Sequence, residues 1–521
     1  VSDGNASRRL ARGGSLNFVG LVYYGAANLA IVAIVSNVLG AGRAGAFVTS
    51  IALFNILMRV LVLGSDTGLV RFVSQWLALN RLRDLRRLWL AALAPIAAAS
   101  IAVAVGLASA ANRVAHLIGD DRFEAEIATE LRVLAMFLPF AVVYHSLDSA
   151  SRGFGTIKAS VAIEKIGKVS LQLALVSCAV GTRAAPGWLA AAWGGPIVIV
   201  FGAMGLWVAA RHRRVTRRTV VLDADDVVPI APVHRIAREF WRFCGPRAPA
   251  GIFQAALLWS DALFIGAFAS TSEAGVYVAA TRLLVIATLM QLAVGQTLQP
   301  LISGALARSD RAGAQDVFRS AAAWTMLVTW PAIIGVMAFS PVVLTRLYGH
   351  DYARASTTLI ILGVGWLIAI ACGPVDNVLL MAGKSWLTTV NVGVASVANV
   401  ALNAILIPAF GMKGAGTAWA VSLVLNNLLP LVQVRRHIHI TPFGTMMMHA
   451  VVPIAGFSAA IVAARAAMGA TLSGIAVGSF VGVALFAALA WRDRRALRLD
   501  DLWLGIRRGR RDPDPIPAPA G

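Results

Sequence analysis

Apolar runs of twenty or more residues recur along the whole of this chain, and its arginines fall in the short tracts between them. A helix of roughly 20 apolar residues crosses a hydrocarbon core of about 30 Å. In lipid only a helix or a closed barrel satisfies its own backbone, and runs of this length are helical. Composition closes the alternative. The 521 residues are 58% hydrophobic and 14% charged, with a mean hydropathy of +0.74, whereas a soluble domain carries about 25% charged residues. The chain reads as a polytopic membrane protein.

The formal charge of +21 is of the kind that binds nucleic acid, but its distribution excludes that partner. The basic residues occupy alternate interspan tracts, where they orient helices and meet anionic headgroups. Cys178, Cys244 and Cys372 lie far apart and show neither metal-ligand spacing nor a disulfide framework. No metal or cofactor is expected.

Hydropathy gives about fourteen spans. The first six are Ser15–Leu39, Ala44–Leu63, Leu88–Ala110, Ile127–Leu147, Ala159–Val180 and Gly187–Ala210. The next four are Phe243–Ala269, Gly275–Ile302, Phe318–Leu344 and Ser356–Met381, and the last four are Trp386–Phe410, Gly414–Val434, Met446–Met468 and Thr471–Trp491. Alternate loops concentrate arginine, including Arg71, Arg81, Arg86 and Arg87, then Arg152 with Lys158, Arg211–Arg218, Arg308 with Arg311, and Arg435 with Arg436. By the positive-inside rule these loops are cytosolic, and so are both termini. The opening Val1–Arg12 is expected to precede an uncleaved first anchor. The acids Asp223, Asp225 and Asp226 read as part of a solvated linker, and 511–521 as a Pro-rich disordered end.

The sequence repeats itself. Arg43–Ser50 (RAGAFVTS) resembles Glu273–Ala280 (EAGVYVAA), and Phe154-Gly155-Thr156 resembles Ala382-Gly383-Lys384 at nearly the same offset. Both pairs keep their place relative to the spans, as expected of a parallel repeat. The expected fold is therefore all-α, with about fourteen transmembrane helices in two pseudo-symmetric six-helix lobes plus two C-terminal helices. The divisions are a cytosolic segment 1–14, an N-lobe 15–210, a basic linker 211–242, a C-lobe 243–434, a terminal pair 435–491 and a basic tail 492–521. Two such bundles around a central cavity suit alternating access.

Several tracts resemble one family. Trp259–Phe268 (WSDALFIGAF), Ala274–Tyr277 and Ala280–Leu283 resemble the seventh and eighth spans of polysaccharide flippases of the multidrug/oligosaccharidyl-lipid/polysaccharide exporter superfamily. Met381–Lys384, Ala398–Asn403 (ANVALN) and Ile407–Gly416 (IPAFGMKGAG) resemble its eleventh and twelfth, and Arg43–Ser50 with Gly64–Val73 its second. The resemblance covers about Ser15 to Trp491. It implies a two-lobed inner-membrane transporter, not an enzyme, that flips polyprenyl-diphosphate-linked glycans to the outer face. It also implies membrane lipids as surroundings, and a glycan polymerase or glycosyltransferases as partners.

Charges inside spans cost about 2.5–3.5 kcal/mol each, and so mark candidate sites. Arg59, Arg282 and Arg247 have the donor fork that matches phosphate oxygens. Asp261 sits at a depth similar to Arg282 on the adjacent helix, so a structural ion pair and a substrate role both stand for these two. Glu164 and Lys168 are spaced to pair on one helix face, with Lys165 beside them. Asp66, Asp148 and Asp376 lie near inner span ends. Asn391, Asn399, Asn403, Asn426 and Asn427 are placed to bond between helices. Pro246, Pro249, Pro300, Pro331, Gly373 and Pro374 interrupt second-half spans as kinks or hinges.

Three other functions compete. A peptidoglycan-precursor flippase shares an arginine-rich cavity. A cation-coupled multidrug antiporter commonly carries an acid in its first span, and Ser15–Leu39 has no charged residue. A polytopic glycosyltransferase or ligase needs a large outer loop. The longest here, Ala111–Glu126, carries His116, Asp120, Asp121, Glu124 and Glu126 with no nucleophile–base spacing and reads as a solvated connector.

Overall fold

The computed structural model describes residues 3–499, apart from 79–80, 82–83, 183–184, 221–231, 246–247 and scattered positions between 286 and 307. Side chains of 3–18, 78, 217–220 and 385 are also set aside. Arg247, Pro246, Pro300, the three linker acids and most of the basic tail thus fall outside the described residues.

The described residues are helical, with no strand among them. The first half holds α1 (Asp3–Val62), α2 (Ser65–Ala78), α3 (Leu85–Ser109), α4 (Ala111–Ile118) and α5 (Glu124–Gly153). A π-helix (Ser160–Lys168), α6 (Val169–Gly181) and α7 (Pro186–Val220) complete it. Helix α8 (Val233–Cys244) lies in the linker and packs on α3 and α2. The second half holds α9 (Ala248–Phe268), α10 (Thr271–Arg282), α11 (Arg311–Ala338), α12 (Ser340–Tyr348) and a 3-10 turn (His350–Ala355). There follow α13 (Ser356–Ala371), α14 (Val375–Met381), α15 (Ser385–Phe410), α16 (Met412–His437), α17 (Thr445–Met468) and α18 (Leu472–Arg492).

Eleven helices among the described residues are long and apolar enough to cross a membrane. Their outer faces carry large apolar side chains in the open, Leu206 at 75% and Phe480 at 78% exposure. Such surfaces, repeated on every side, suit hydrocarbon and not water. Fourteen crossings would need more than these eleven. Val19–Val62 would cross twice, its helix being interrupted at Gly40 (φ 76°, ψ 171°). The expected fifth span is divided between the π-helix and α6, and the eighth falls partly outside the described residues.

The repeat has structural counterparts. Gly155 (φ 74°) and Gly383 (φ 75°), matched by sequence, both adopt the left-handed turn that only glycine enters without strain. Each amide closes the turn on the third residue back, Gly155 on Arg152 O at 2.9 Å and Gly383 on Leu380 O at 3.1 Å. Gly45 and Gly275, also matched, meet each other. A Cβ added to Gly275 would sit 2.7 Å from Gly45 N and 2.7 Å from Ala41 O. Packing this close needs a hydrogen at both positions, the small-residue contact that lets membrane helices approach.

These contacts define two ends. The apical end carries the Gly45–Gly275 crossing and the α9–α10 turn, and the basal end carries Gly64–Thr67 and Gly383. Of the C-terminal pair, α17 packs on α11, and α18 packs on α17. Gly474, Gly478 and Gly482 form one buried stripe of α18, and a Cβ on Gly478 would lie 2.9 Å from that of Ala464.

Of the expected breaks, Gly373 and Pro374 do separate two helices, whereas Pro331 lies within continuous α11. The segment 111–126 is no loose connector. It forms α4, with Ala111 and Ala115 buried, and Asp120 is fastened across to the second half. Its Oδ2 accepts from Thr271 N at 3.2 Å, and its amide donates to Thr271 Oγ1 at 3.0 Å.

Candidate functional site

A cavity of about 970 Å³ lies between the two halves. Its lining reaches Gly64, Asp66, Thr67, Trp386 and Thr388 at the basal end, and goes no further toward the apical end than Ser36 and Ala44. The second pass of α1 supplies one wall through Val48, Ile51, Asn55, Met58, Arg59 and Val62. These residues recur three or four apart and so share one helical face. The facing wall comes from α9 and α10 through Gln254, Leu258, Trp259, Val278 and Arg282.

Five charged side chains line the space: Arg59, Lys168 and Arg282 against Asp66 and Glu164, three positive and two negative, or +1. The acids are already engaged. Glu164 lies 4.0 Å from Lys168 Nζ. Asp66 accepts from the backbone amide and hydroxyl of its neighbour Thr67 at 2.7 and 3.1 Å. Among the described residues no carboxylate pairs with Arg59 or Arg282. Two guanidiniums, one from each half, therefore face the cavity with no ion-pair partner among the described residues.

Arg59 is exposed into this space, and its Nη1 lies 3.1 Å from His145 Nε2. A guanidinium only donates, so Nε2 is the unprotonated ring nitrogen at that contact. Sequence spacing gave no partner for Arg59 because His145 is on α5, 86 residues away. Arg282 lies over the Trp259 ring, 5.4 Å from its centroid, a cation–π distance. Among the described residues its buried Nε has no hydrogen-bond partner.

Of the two readings left open for Asp261 and Arg282, the ion pair is not formed. Asp261 is buried and accepts from Tyr277 OH at 2.7 Å and from Asn403 Nδ2 at 2.6 Å. Depth alone suggested the pair, but azimuth decides it. At 3.6 residues per turn, Arg282 is rotated by about 140° from Tyr277 on the same helix, so only one of them faces Asp261. Asn399 joins this cluster through Ser260 at 2.9 Å and Asn403 at 3.1 Å. Asp261 is thus a buried packing centre and does not line the cavity. Replacing it with alanine strands the buried Tyr277 hydroxyl and one of the two N–H groups of the Asn403 amide, whose other bond to Asn399 remains, at about 1–3 kcal/mol for each unpaired donor. Thermal unfolding of the purified variant is expected to show a marked loss of stability. An unchanged midpoint would remove this cluster from the account of the fold.

Lys168, buried, donates to Tyr144 OH at 2.7 Å, a tighter contact than the expected pairing with Glu164. Both project from the π-helix, a rare geometry that often marks functional sites. Lys165 is not in the lining. It lies along α1, where a Cβ on Gly20 would be 3.4 Å from its Cδ. Asp148 is buried beside Arg152, 3.7 Å away. Among the asparagines, Asn391 makes a reciprocal amide pair with Gln433 at 2.8 Å, while Asn427 bonds within its own helix.

Sequence reasoning missed His145, Tyr144, Asn28, Asn55, Gln254 and the aromatic walls of Tyr24, Trp193, Trp259 and Trp386. Only the helical spacing of Asn55 and Arg59 could have pointed to one of them. The His116, Asp121 and Glu124 group lies on the apical surface, outside this lining.

A multi-pass helical bundle with a central cavity, apolar-walled and bearing a few charged groups, between two related halves is the architecture of a membrane transporter. Residues 49–357 match the family described as "Polysaccharide biosynthesis protein", and the chain belongs to that family. A 171-residue stretch is 29% identical to the probable low-salt glycan biosynthesis flippase Agl15 of Haloferax volcanii. The match covers 33% of this chain and 36% of that protein, about a third of the relative's length. Among solved structures, the lipid II flippase MurJ in an inward closed conformation superposes with a TM-score of 0.72 at 12% identity, over 92% of this chain and 98% of that one. An inward-facing multidrug resistance MATE transporter of the MOP superfamily follows at 0.63 and 13%, over 80% and 94%. At such identities the likeness is one of fold. The relatives whose activity is named are transporters, not enzymes.

Proposed function

We propose that this protein flips a polyprenyl-diphosphate-linked oligosaccharide or polysaccharide repeat unit across the inner membrane, from the cytoplasmic to the outer face, by alternating access. One observation carries the reading: Arg59 and Arg282 face one cavity of net positive lining from opposite halves, and among the described residues neither is ion-paired with a carboxylate. A guanidinium matches phosphate oxygens with paired donors and stays charged. A lipid diphosphate would bridge the halves and draw them together, while a cationic drug would be repelled.

Size and walls agree. The cavity lies at the upper end of the roughly 300–1,000 Å³ typical of small-molecule sites, which suits a headgroup whose lipid tail stays in the bilayer. Tyr24, Trp193, Trp259 and Trp386 offer flat apolar surfaces edged by hydrogen-bonding groups, on which sugar rings can stack. On this reading the basal end is cytosolic, since the arginine-rich loops lie there, and both termini are cytosolic. The lobes 15–210 and 243–434 rock about the apical crossing, linked by 211–242 and flanked by 435–491. A glycan polymerase or glycosyltransferases would supply or consume the cargo.

The family and the Agl15 similarity favour a glycan repeat unit. The MurJ likeness keeps a peptidoglycan-precursor lipid as the second reading, with the same diphosphate chemistry. Proteoliposomes holding the purified protein and a fluorescent polyprenyl-diphosphate oligosaccharide test this. Protein-dependent exposure of the label on the opposite leaflet is the expected result. Dye efflux with no glycan movement, across several glycans, would replace the proposal with a drug antiporter.

A further inference from the structure

A second, smaller cavity of about 490 Å³ lies at the basal end, lined by Asp66, Thr67, Val70, Arg71, Arg152 and Phe243. Asp66 and Thr67 line the central cavity as well, so the two spaces adjoin. We propose that this crevice is a loading site where Arg71 and Arg152 capture the phosphate-bearing headgroup of a lipid before it enters the central cavity. The inference deepens the flippase reading and rests on it.

Both guanidiniums are held in place. Arg71 lies over the Phe243 ring with its Cζ 4.3 Å from the centroid. Arg152 donates to Ser149 Oγ at 2.6 Å and lies 3.7 Å from Asp148 Oδ2. A side chain already fixed loses little entropy on binding, which favours capture. Both remain exposed, so their other donors are open to a ligand. Three acids lie nearby: Asp66 accepts from the amide and hydroxyl of Thr67, Asp148 lies buried behind Arg152, and Glu164 lies 4.0 Å from Lys168 Nζ. The crevice also gathers α2, α5 and the linker helix α8 at one mouth. A headgroup bound there touches the segment that joins the two halves.

Phosphate on a lipid has two sources, the diphosphate of the cargo and the phosphodiester of a bulk anionic lipid. The test uses full-length protein in detergent, in an Arg59→Ala background that weakens binding in the central cavity and leaves Arg282 as its one remaining guanidinium among the described residues. Native mass spectrometry would measure binding of undecaprenyl diphosphate and, separately, of phosphatidylglycerol. Arg71→Gln is expected to weaken undecaprenyl diphosphate about tenfold, the loss of one charge-assisted contact. Arg71→Lys should restore part of it. Arg152→Lys keeps the pairing with Asp148, guarding against misfolding, and should weaken binding severalfold through loss of the donor fork.

In proteoliposomes with Arg59 intact, Arg71→Gln should raise the half-saturating glycan-lipid concentration about tenfold while leaving the maximal rate unchanged. A loss confined to phosphatidylglycerol, with half-saturation unchanged, would assign the phosphate site to bulk lipid. Wild-type binding of both probes by Arg71→Gln and Arg152→Lys would overturn the proposal. Binding that depends on Arg71, in a protein that moves no glycan, would keep the phosphate site and discard the flippase reading.

Discussion

Replacing Arg59 with alanine is expected to lower the initial rate of glycan-lipid flipping about 100-fold while leaving the protein folded. The rate follows from the site. A charge-assisted contact to phosphate contributes about 1.5–3 kcal/mol, and every 1.4 kcal/mol is a factor of ten. Arg59 has no carboxylate partner among the described residues to share its donors. The fold should tolerate the change because the described partner of Arg59 is the neutral His145, and losing that contact strands no charge. Arg59→Lys keeps the charge without the fork, so a loss near tenfold is expected. The checks are initial rates in proteoliposomes and the elution profile and thermal midpoint in detergent. Wild-type rates for Arg59→Ala would make this arginine a structural neighbour of His145 and move the diphosphate elsewhere.

Gly275→Ala is expected to open the apical end. The methyl would lie 2.7–2.8 Å from Ala41 O, Gly45 N and Gly45 Cα, all backbone atoms, which cannot swing aside as a side chain can. The two helices must separate, and forced overpacking costs about 1–3 kcal/mol. Conformations already parted at this crossing escape that cost. A bias of about 2 kcal/mol shifts their ratio to the closed form by roughly 30-fold.

A cysteine reporter at Ser36 would read the shift, since Ser36 is buried and lines the apical part of the cavity. Cys178 is exposed and would be replaced first, while Cys244 and Cys372 are buried. Ser36→Cys should react slowly with a membrane-impermeant maleimide in the native background, and about 30-fold faster with Gly275→Ala. Equal labelling in the two backgrounds would mean that the crossing is a static contact and not a gate. Asp120 and Thr271 close the same end by paired hydrogen bonds, so loosening them should add to the effect.

How much of this was readable without coordinates differs by residue. The membrane fold was, because lipid forbids an unpaired backbone and each long apolar run carries that constraint by itself. The repeat was too, since Gly45, Gly155, Gly275 and Gly383 are required by local geometry, a close approach or a left-handed turn, that recurs wherever the structure recurs. Arg59, Arg282, Glu164 and Lys168 stood out because a charge in a span needs a reason. The asparagines Asn399 and Asn403 were visible as polar groups among apolar neighbours, although for their partner Asp261 the sequence offered only an ion pair with Arg282 or a substrate role.

Contacts between distant helices were not readable. The meeting of Arg59 with His145, the turning of Asp261 toward Tyr277 and Asn403, and the fastening of Asp120 to Thr271 depend on helix azimuth and packing. A sequence gives depth in a span through the rise per residue. It does not give the rotation of one helix against another, which is set by the fit of all side chains between them. The sequence by itself therefore determined that the chain is a helical membrane protein built of two related halves with buried charge. The tertiary structure alone decided which of those charges face a shared cavity and which are consumed by neighbours, because pairing in a bundle is a property of faces brought together and not of positions along a chain.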